Sequence, residues 1–274
     1  MSFAIRQVIR ATALTLALAG ASFAQGWLVS PSRQELSINP GESRTFAVRV
    51  ERESGKGPAE AVRFTATPSD WDISRAGEVE LGNAGSLPNS ANAWMTFTPA
   101  TFPLNAEGFH NVRVTVSVPR GTAPGVYRAG LFFEEHSAVP GATAGSRRMV
   151  LRYRLSTLIY VVVGGTHKAI DVQDVAVSSL PQGGLAVTAV LDNPGSRHLR
   201  PEHWLEITDA DGKVLVKTDR IPTMVLLPGR QLDTRLTVPR EKLPAASSYN
   251  VRYVVDADKE LPLKAATVSV VSKP

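Results

Sequence analysis

An all-β chain folded as two β-sandwich domains in tandem is what three observations predict. Apolar and polar residues alternate with period two along most of the chain, in runs too short for anything but strands. The runs are separated by turn clusters such as Asn39-Pro40-Gly41 and Pro119-Arg120-Gly121. No long stretch repeats its apolar residues at the spacing of an amphipathic helix.

Composition sets the limits. The 274 residues are 43% hydrophobic and contain no Cys, which gives enough apolar material for two modest cores and excludes a disulfide scaffold. The formal charge is +5, and Arg6 and Arg10 supply two of those positive charges. The rest are interspersed with acidic residues, which describes a solvated surface and not a phosphate-binding stripe, so no nucleic-acid partner is expected.

The elements follow in order. Residues 1–24 read as a secretory signal peptide: Arg6 and Arg10 precede an apolar run from Ala11 to Ala19, and the small residues Ser22 and Ala24 mark the cleavage point. No membrane span is expected after that cleavage, because Arg152 and Arg154 break the one later apolar stretch and leave only Leu158 to Val163 uninterrupted. Strands are predicted over Arg44–Arg52, Val62–Thr67, Val112–Val118, Tyr127–Glu135 and Met149–Val163. After Gly164-Gly165 the pattern restarts, with strands over Ile170–Ser178, Leu185–Asp192, Trp204–Thr208, Val214–Thr218, Leu232–Val238, Tyr249–Val255 and Ala265–Val271. Seven short strands at close intervals match an immunoglobulin-like sandwich. The expected domains are therefore 25–164 and 165–274, joined by a short linker from Gly164 to Lys168.

An internal echo supports two related modules. Arg113-Val-Thr-Val-Ser-Val-Pro119-Arg120 precedes Tyr127, and Arg235-Leu-Thr-Val-Pro239-Arg240 precedes Tyr249. In each, a strand stops at a Pro that cannot donate to the ladder, and a Tyr opens the next strand where a tyrosine corner would sit.

Chemistry for catalysis is sparse. Without Cys there is no thiolate nucleophile and no cysteine metal site. His198 and His203 flank Glu202, but their five-residue separation around Pro201 fits a loop, and they are expected to be surface residues beside Trp204. Asp209-Ala210-Asp211-Gly212 lacks the later ligands of a calcium loop and reads as a hairpin turn. The carboxylates Asp70, Asp72, Glu134 and Glu135 read as charged strand ends on solvated faces. The expectation is a protein that is not an enzyme and needs no metal or cofactor.

One set of residues carries a resemblance. Asn39-Pro40-Gly41-Glu42, Phe97-Thr98-Pro99, the Val112–Pro119 strand, and Pro124-Gly125-Val126-Tyr127-Arg128-Ala129-Gly130-Leu131-Phe132-Phe133 resemble the first domain of the PapD-like periplasmic pilus-assembly chaperones. The resemblance covers roughly Trp27 to Val163. It implies a periplasmic chaperone whose last strand of domain one completes the sandwich of an exported fimbrial or surface subunit, with an outer-membrane assembly protein as a further partner.

On that reading Leu151, Tyr153, Leu155, Thr157, Ile159, Val161 and Val163 form the client-binding row, on one face of the strand. Burying four large members of such a row would release on the order of 6 to 12 kcal/mol before the costs of association. Over Leu158 to Val163 both faces are apolar, which fits cover by the protein's own chain as well as cover by a partner. Over Leu151 to Leu155 polar alternation favours the protein's own core.

The family also grips its client's terminal carboxylate with an Arg on the first strand and a Lys on the last. Arg33 matches the first, and is equally readable as a solvated surface arginine. The Lys is missing, since no Lys occurs between Lys56 and Lys168, and Tyr160 stands in its place; His167 or Lys168 are the candidate substitutes. The alternative function is a structural or adhesive surface protein that binds cell-wall polymer or another envelope component through a rim of Trp27, Trp71, Trp94 and Trp204.

Overall fold

The computed structural model describes residues 26–53, 61–105, 108–136 and 153–271. The signal-peptide segment and Leu151 lie outside them. The first unit contains β1 (Trp27–Ser30), β2 (Arg33–Ser37), β3 (Ser43–Arg52), β4 (Val62–Ile73), β5 (Val79–Gly82), β6 (Met95–Thr98), β7 (Thr101–Leu104), β8 (Phe109–Ser117), β9 (Gly125–His136) and β10 (Arg154–Val163). They form two sheets, ordered β1-β3-β8-β6 and β2-β10-β9-β4-β5, with β7 added to β4.

Period-two patterning explains the core. Val112, Val114 and Val116 of β8 face Ala129, Leu131 and Phe133 of β9 and Ile159, Val161 and Val163 of β10, all fully buried in one cluster with Phe64, Phe102 and Leu104. The outward residues of β3 and β8 are polar apart from Ala47 and Phe109, and hydroxyl pairs such as Thr45 with Thr115, at 2.8 Å, link them across the ladder. The sequence reading missed β1, β2, β5, β6 and β7, each only four or five residues long.

The second unit contains β11 (Asp171–Ser179), β12 (Gly184–Asp192), β13 (Glu202–Thr208), β14 (Val214–Lys217), β15 (Ile221–Pro222), β16 (Gln231–Pro239), β17 (Ser248–Asp256) and β18 (Lys264–Val271). Its sheets run β11-β12-β16 and β14-β13-β17-β18, with β15 on β13. Leu185, Val187, Leu191, Leu205, Ile207, Tyr253 and Val255 fill the space between them. Asp209 closes the β13–β14 hairpin by accepting from the backbone N–H of Asp211 and Lys213, at 3.1 and 2.9 Å.

Both units carry the corner expected from the echo. The Tyr127 hydroxyl donates to the Ala123 carbonyl at 3.1 Å, and the Tyr249 hydroxyl donates to the Pro244 carbonyl at 2.8 Å. Gly164 ends β10 with φ +65°, and a side chain there would meet Pro124 at 3.2 Å, so a glycine turns the chain between the units.

The two units meet across a third apolar cluster. Trp71, Ile73, Val126, Tyr160 and Val162, all on the outer face of the β2-β10-β9-β4-β5 sheet, pack against Leu227 of the second unit. Beside it Asp72 bridges Arg128 of its own sheet, at 3.3 Å, and Arg230 of the second unit. Arg75 adds a 2.7 Å pair to Asp233. Among the described residues no helix is long and apolar enough to cross a membrane.

Candidate functional site

Strand β10 is covered unequally on its two edges. It pairs with β9 along its full length, from Arg154 opposite Glu134 to Val163 opposite Gly125. On the other edge β2 runs parallel to it and covers only Leu158 to Val162. Leu158 N–H donates to Ser32 C=O at 2.9 Å, and Ile38 N–H donates to Val162 C=O at 3.0 Å, so even-numbered residues point their main chain at β2. Odd-numbered residues point at β9, as Glu135 N–H donating to Tyr153 C=O at 3.1 Å shows.

The same alternation aims the N–H and C=O groups of Arg154 and Ser156 into the space directly in line with β2. Among the described residues no strand pairs with that edge. The gap exists because the first strand changes sheets: β1 pairs with β3 in the opposite sheet, and Pro31, which has no N–H to donate, separates it from β2. The result is an unpaired stretch of the β10 edge, a slot that ends where β2 begins at Arg33.

Side chains divide the expected contact row. Thr157, Ile159, Val161 and Val163 are buried inside the first unit, where the last three join its main core cluster. Tyr153 and Leu155 are half-buried at the rim of that core, next to the slot. On the opposite face Tyr160 and Val162 are buried against the second unit, and Leu158 is half-buried there. The doubly apolar end is thus closed by the protein's own chain, and the alternating end lies at the unpaired edge. Periodicity left the cover of Leu158 to Val163 open, and the second domain supplies it on the outer face; Tyr153 and Leu155 pack against the first core, the side that polar alternation favoured. Outside the slot, Arg154 pairs with Glu134 at 3.1 Å and lies over the Phe132 ring at 4.5 Å.

At the closed end stands a basic cluster. Arg33 is exposed at the start of β2, and Glu35, two residues on, is opposite Tyr160 in the ladder. Three residues of the second unit converge on Glu35: Arg197, His198 at 3.0 Å and Arg200 at 3.5 Å. Burial acts to raise the Glu35 pKa, but His198, Arg197 and Arg200 outweigh it and hold the carboxyl below its usual value. Arg200 also lies over the Tyr160 ring at 5.1 Å, with its side chain in hydrogen-bonding reach of the Tyr160 phenol. Burial pushes the Tyr160 phenol up, against the opposing pull of Arg200, Arg33 and Arg128. That Arg200 and His198 meet Glu35 was missed in the sequence, where nothing tells which side of a loop meets another domain.

The other sequence candidates are placed as follows. Lys168 is held by Asp258 at 2.8 Å and Glu260 at 2.9 Å, and these bonds raise its pKa. The His167 ring lies 3.1 Å from Ser196 Oγ. His198 and His203 are buried, not on the surface as read from the sequence; His203 Nδ1 is 2.5 Å from the Tyr253 hydroxyl. Asp70, Asp72 and Glu135 are buried too: Asp70 accepts from Leu87 N–H at 2.8 Å and from Ser90 and Asn92, and Glu135 accepts from Trp27 Nε1 at 3.0 Å. Trp27, Trp71 and Trp204 are buried and Trp94 is half-buried, so the four indoles form no exposed rim.

No family model matches the chain, and no curated protein sequence does either. In structure, the chain is similar to fimbrial chaperones. One similar structure is a chain of a chaperone–tip adhesin complex of CFA/I fimbriae biogenesis, with a TM-score of 0.47, 11% identity, and coverage of 88% of this chain and 98% of that one. Another is the Pseudomonas aeruginosa CupB2 chaperone, with a TM-score of 0.39, 15% identity, and coverage of 89% and 100%. A third is a chain of the Salmonella enterica SafA pilin in complex with the SafB chaperone, with a TM-score of 0.39, 10% identity, and coverage of 92% and 99%.

Proposed function

We propose that this protein is a non-catalytic periplasmic chaperone that lends the open half of β10 to an exported fimbrial or surface subunit. One observation carries the reading: among the described residues no strand pairs with the edge of β10 that the main chain of Arg154 and Ser156 faces, in line with β2. A polypeptide entering the slot gains ladder hydrogen bonds for its backbone and meets the half-buried Tyr153 and Leu155 with its side chains.

Geometry also gives the visitor a direction. Its end abuts Arg33, and a strand parallel to β10 would bring its C-terminal carboxylate there. Arg33 serves as the anchor. The contact row in this proposal is Tyr153 and Leu155, with Leu151 as its continuation. Burial of the tryptophans weighs against the alternative of a sugar-stacking surface protein.

Ser156→Pro tests the reading with little disturbance to the core. It removes one slot-facing N–H and leaves the β9 ladder intact, because Ser156 does not bond that side. Tagged protein is recovered from its native envelope and the associated chains are identified. The expected result is a β-rich exported subunit that accompanies the wild type and is reduced at least tenfold with Ser156→Pro. Equal recovery with the variant, or recovery of the wild type alone, overturns the proposal.

A further inference from the structure

The seam between the two units holds a buried imidazole. The His198 side chain is 1% exposed, its Nε2 lies 3.0 Å from Glu35 Oε2, and the Tyr160 ring is 4.6 Å from its own. Its Nδ1 is buried with no hydrogen-bond partner among the described residues. A neutral imidazole has one N–H and one lone pair, so the tautomer that fits carries its proton on Nε2 and donates it to Glu35.

A second proton has no good place to go. On Nδ1 it would be a buried donor without an acceptor. Its charge would join Arg197 and Arg200, which already share the same carboxylate. The groups facing the imidazole are Glu35 from β2, Tyr160 from β10, and Arg197 and Arg200 from its own loop; Arg33 acts on Tyr160, and behind Arg197 stand Asp258 and Lys168. Burial is the main reason the His198 pKa is pushed down to about 4, and Arg200 and Arg197 add to it against Glu35.

We propose that the Glu35–His198 contact is an acid-sensitive latch, which holds the second unit against β2 while the imidazole is neutral and releases that side of the seam when it is protonated. Once released, the ring is hydrated and binds its proton with an ordinary pKa near ~6.5. The released form therefore binds the proton more tightly. Its ratio to the closed form rises as pH falls through ~6.5 and levels off near ~4, by on the order of a hundredfold in all. The Leu227 contact and the Asp72–Arg230 pair remain, so the seam opens as a hinge and not by separation. The latch does not depend on any client.

The chain has no Cys, so spin labels on Ala47→Cys and Thr267→Cys, both exposed, report the distance between the units. The full mature chain is measured from pH 7.5 to 4.5, with far-UV circular dichroism recorded in parallel. The expected result is a distance distribution that is narrow at pH 7.5 and widens toward pH 4.5 at constant dichroism. His198→Gln, which keeps an N–H donor and cannot titrate, stays narrow throughout. Glu35→Gln, which leaves Arg197 and Arg200 without their carboxylate, is wide already at pH 7.5. The latch is refuted if the wild type does not widen, widens only as dichroism is lost, or widens equally with His198→Gln, or if Glu35→Gln matches the wild type at pH 7.5.

Discussion

Tyr160 is buried at the seam between the two units, and its surroundings explain why a lysine would not serve in its place. The ring packs 5.0 Å from Trp71 and 4.6 Å from His198, in a space also facing Arg33, Arg128 and Arg200. An aromatic offers Arg200 a π face, whereas an ammonium would be a further buried positive charge. Tyr160→Lys is expected to destabilise the fold by more than about 2 kcal/mol in urea denaturation, while Tyr160→Phe stays within about 1.5 kcal/mol. A lysine variant as stable as the wild type would show that the cluster has a carboxylate or solvent outlet for the new charge.

Strand β10 is paired unequally along its length, and the two stretches can be tested separately. From Leu158 onward it is an inner strand, with its edge closed by β2, one face in the first core and the other under the second domain. Before Leu158 that edge has no pairing strand among the described residues. Ile159→Val should therefore cost about 1 kcal/mol of stability, from the buried methylene it removes, and leave subunit capture unchanged. Loss of capture at retained stability would mean that Ile159 touches the client. Ser156→Pro should show the reverse pattern, with capture lost and stability nearly kept.

At the scale of the molecule the angle between the domains rests on few contacts. Arg128 is 3% exposed, and its salt-bridge partner is Asp72, which also reaches Arg230 across the seam. Asp72→Ala would strand a buried guanidinium and is expected to cost about 3–5 kcal/mol, read as a lower denaturation midpoint. Arg230→Ala should cost less than about 1 kcal/mol, because its side chain is 53% exposed and solvent can replace the carboxylate. Stability should also fall with acid: the folded-state pKa of His198 is depressed to about 4, so the unfolded chain takes up its proton first as pH drops below ~6.5. That loss is complete near pH ~4 and is absent in His198→Gln.

Much of this could be read from residue order. Alternation specified the long strands, the Pro119 and Pro239 stops marked their ends, and Tyr127 and Tyr249 disclosed both corners, because each depends on neighbours close in the chain. Short strands such as β2 were not legible, since five residues alternating between exposed and half-buried resemble a loop. Residue order likewise settled that β10 would be apolar on both faces toward Val163. Only the tertiary structure decided what covers each face, where the pairing edge stays open, and that Glu35, His198 and Arg200 meet. These are relations between segments up to 165 positions apart, set by how two sandwiches pack and not by any local preference of the chain.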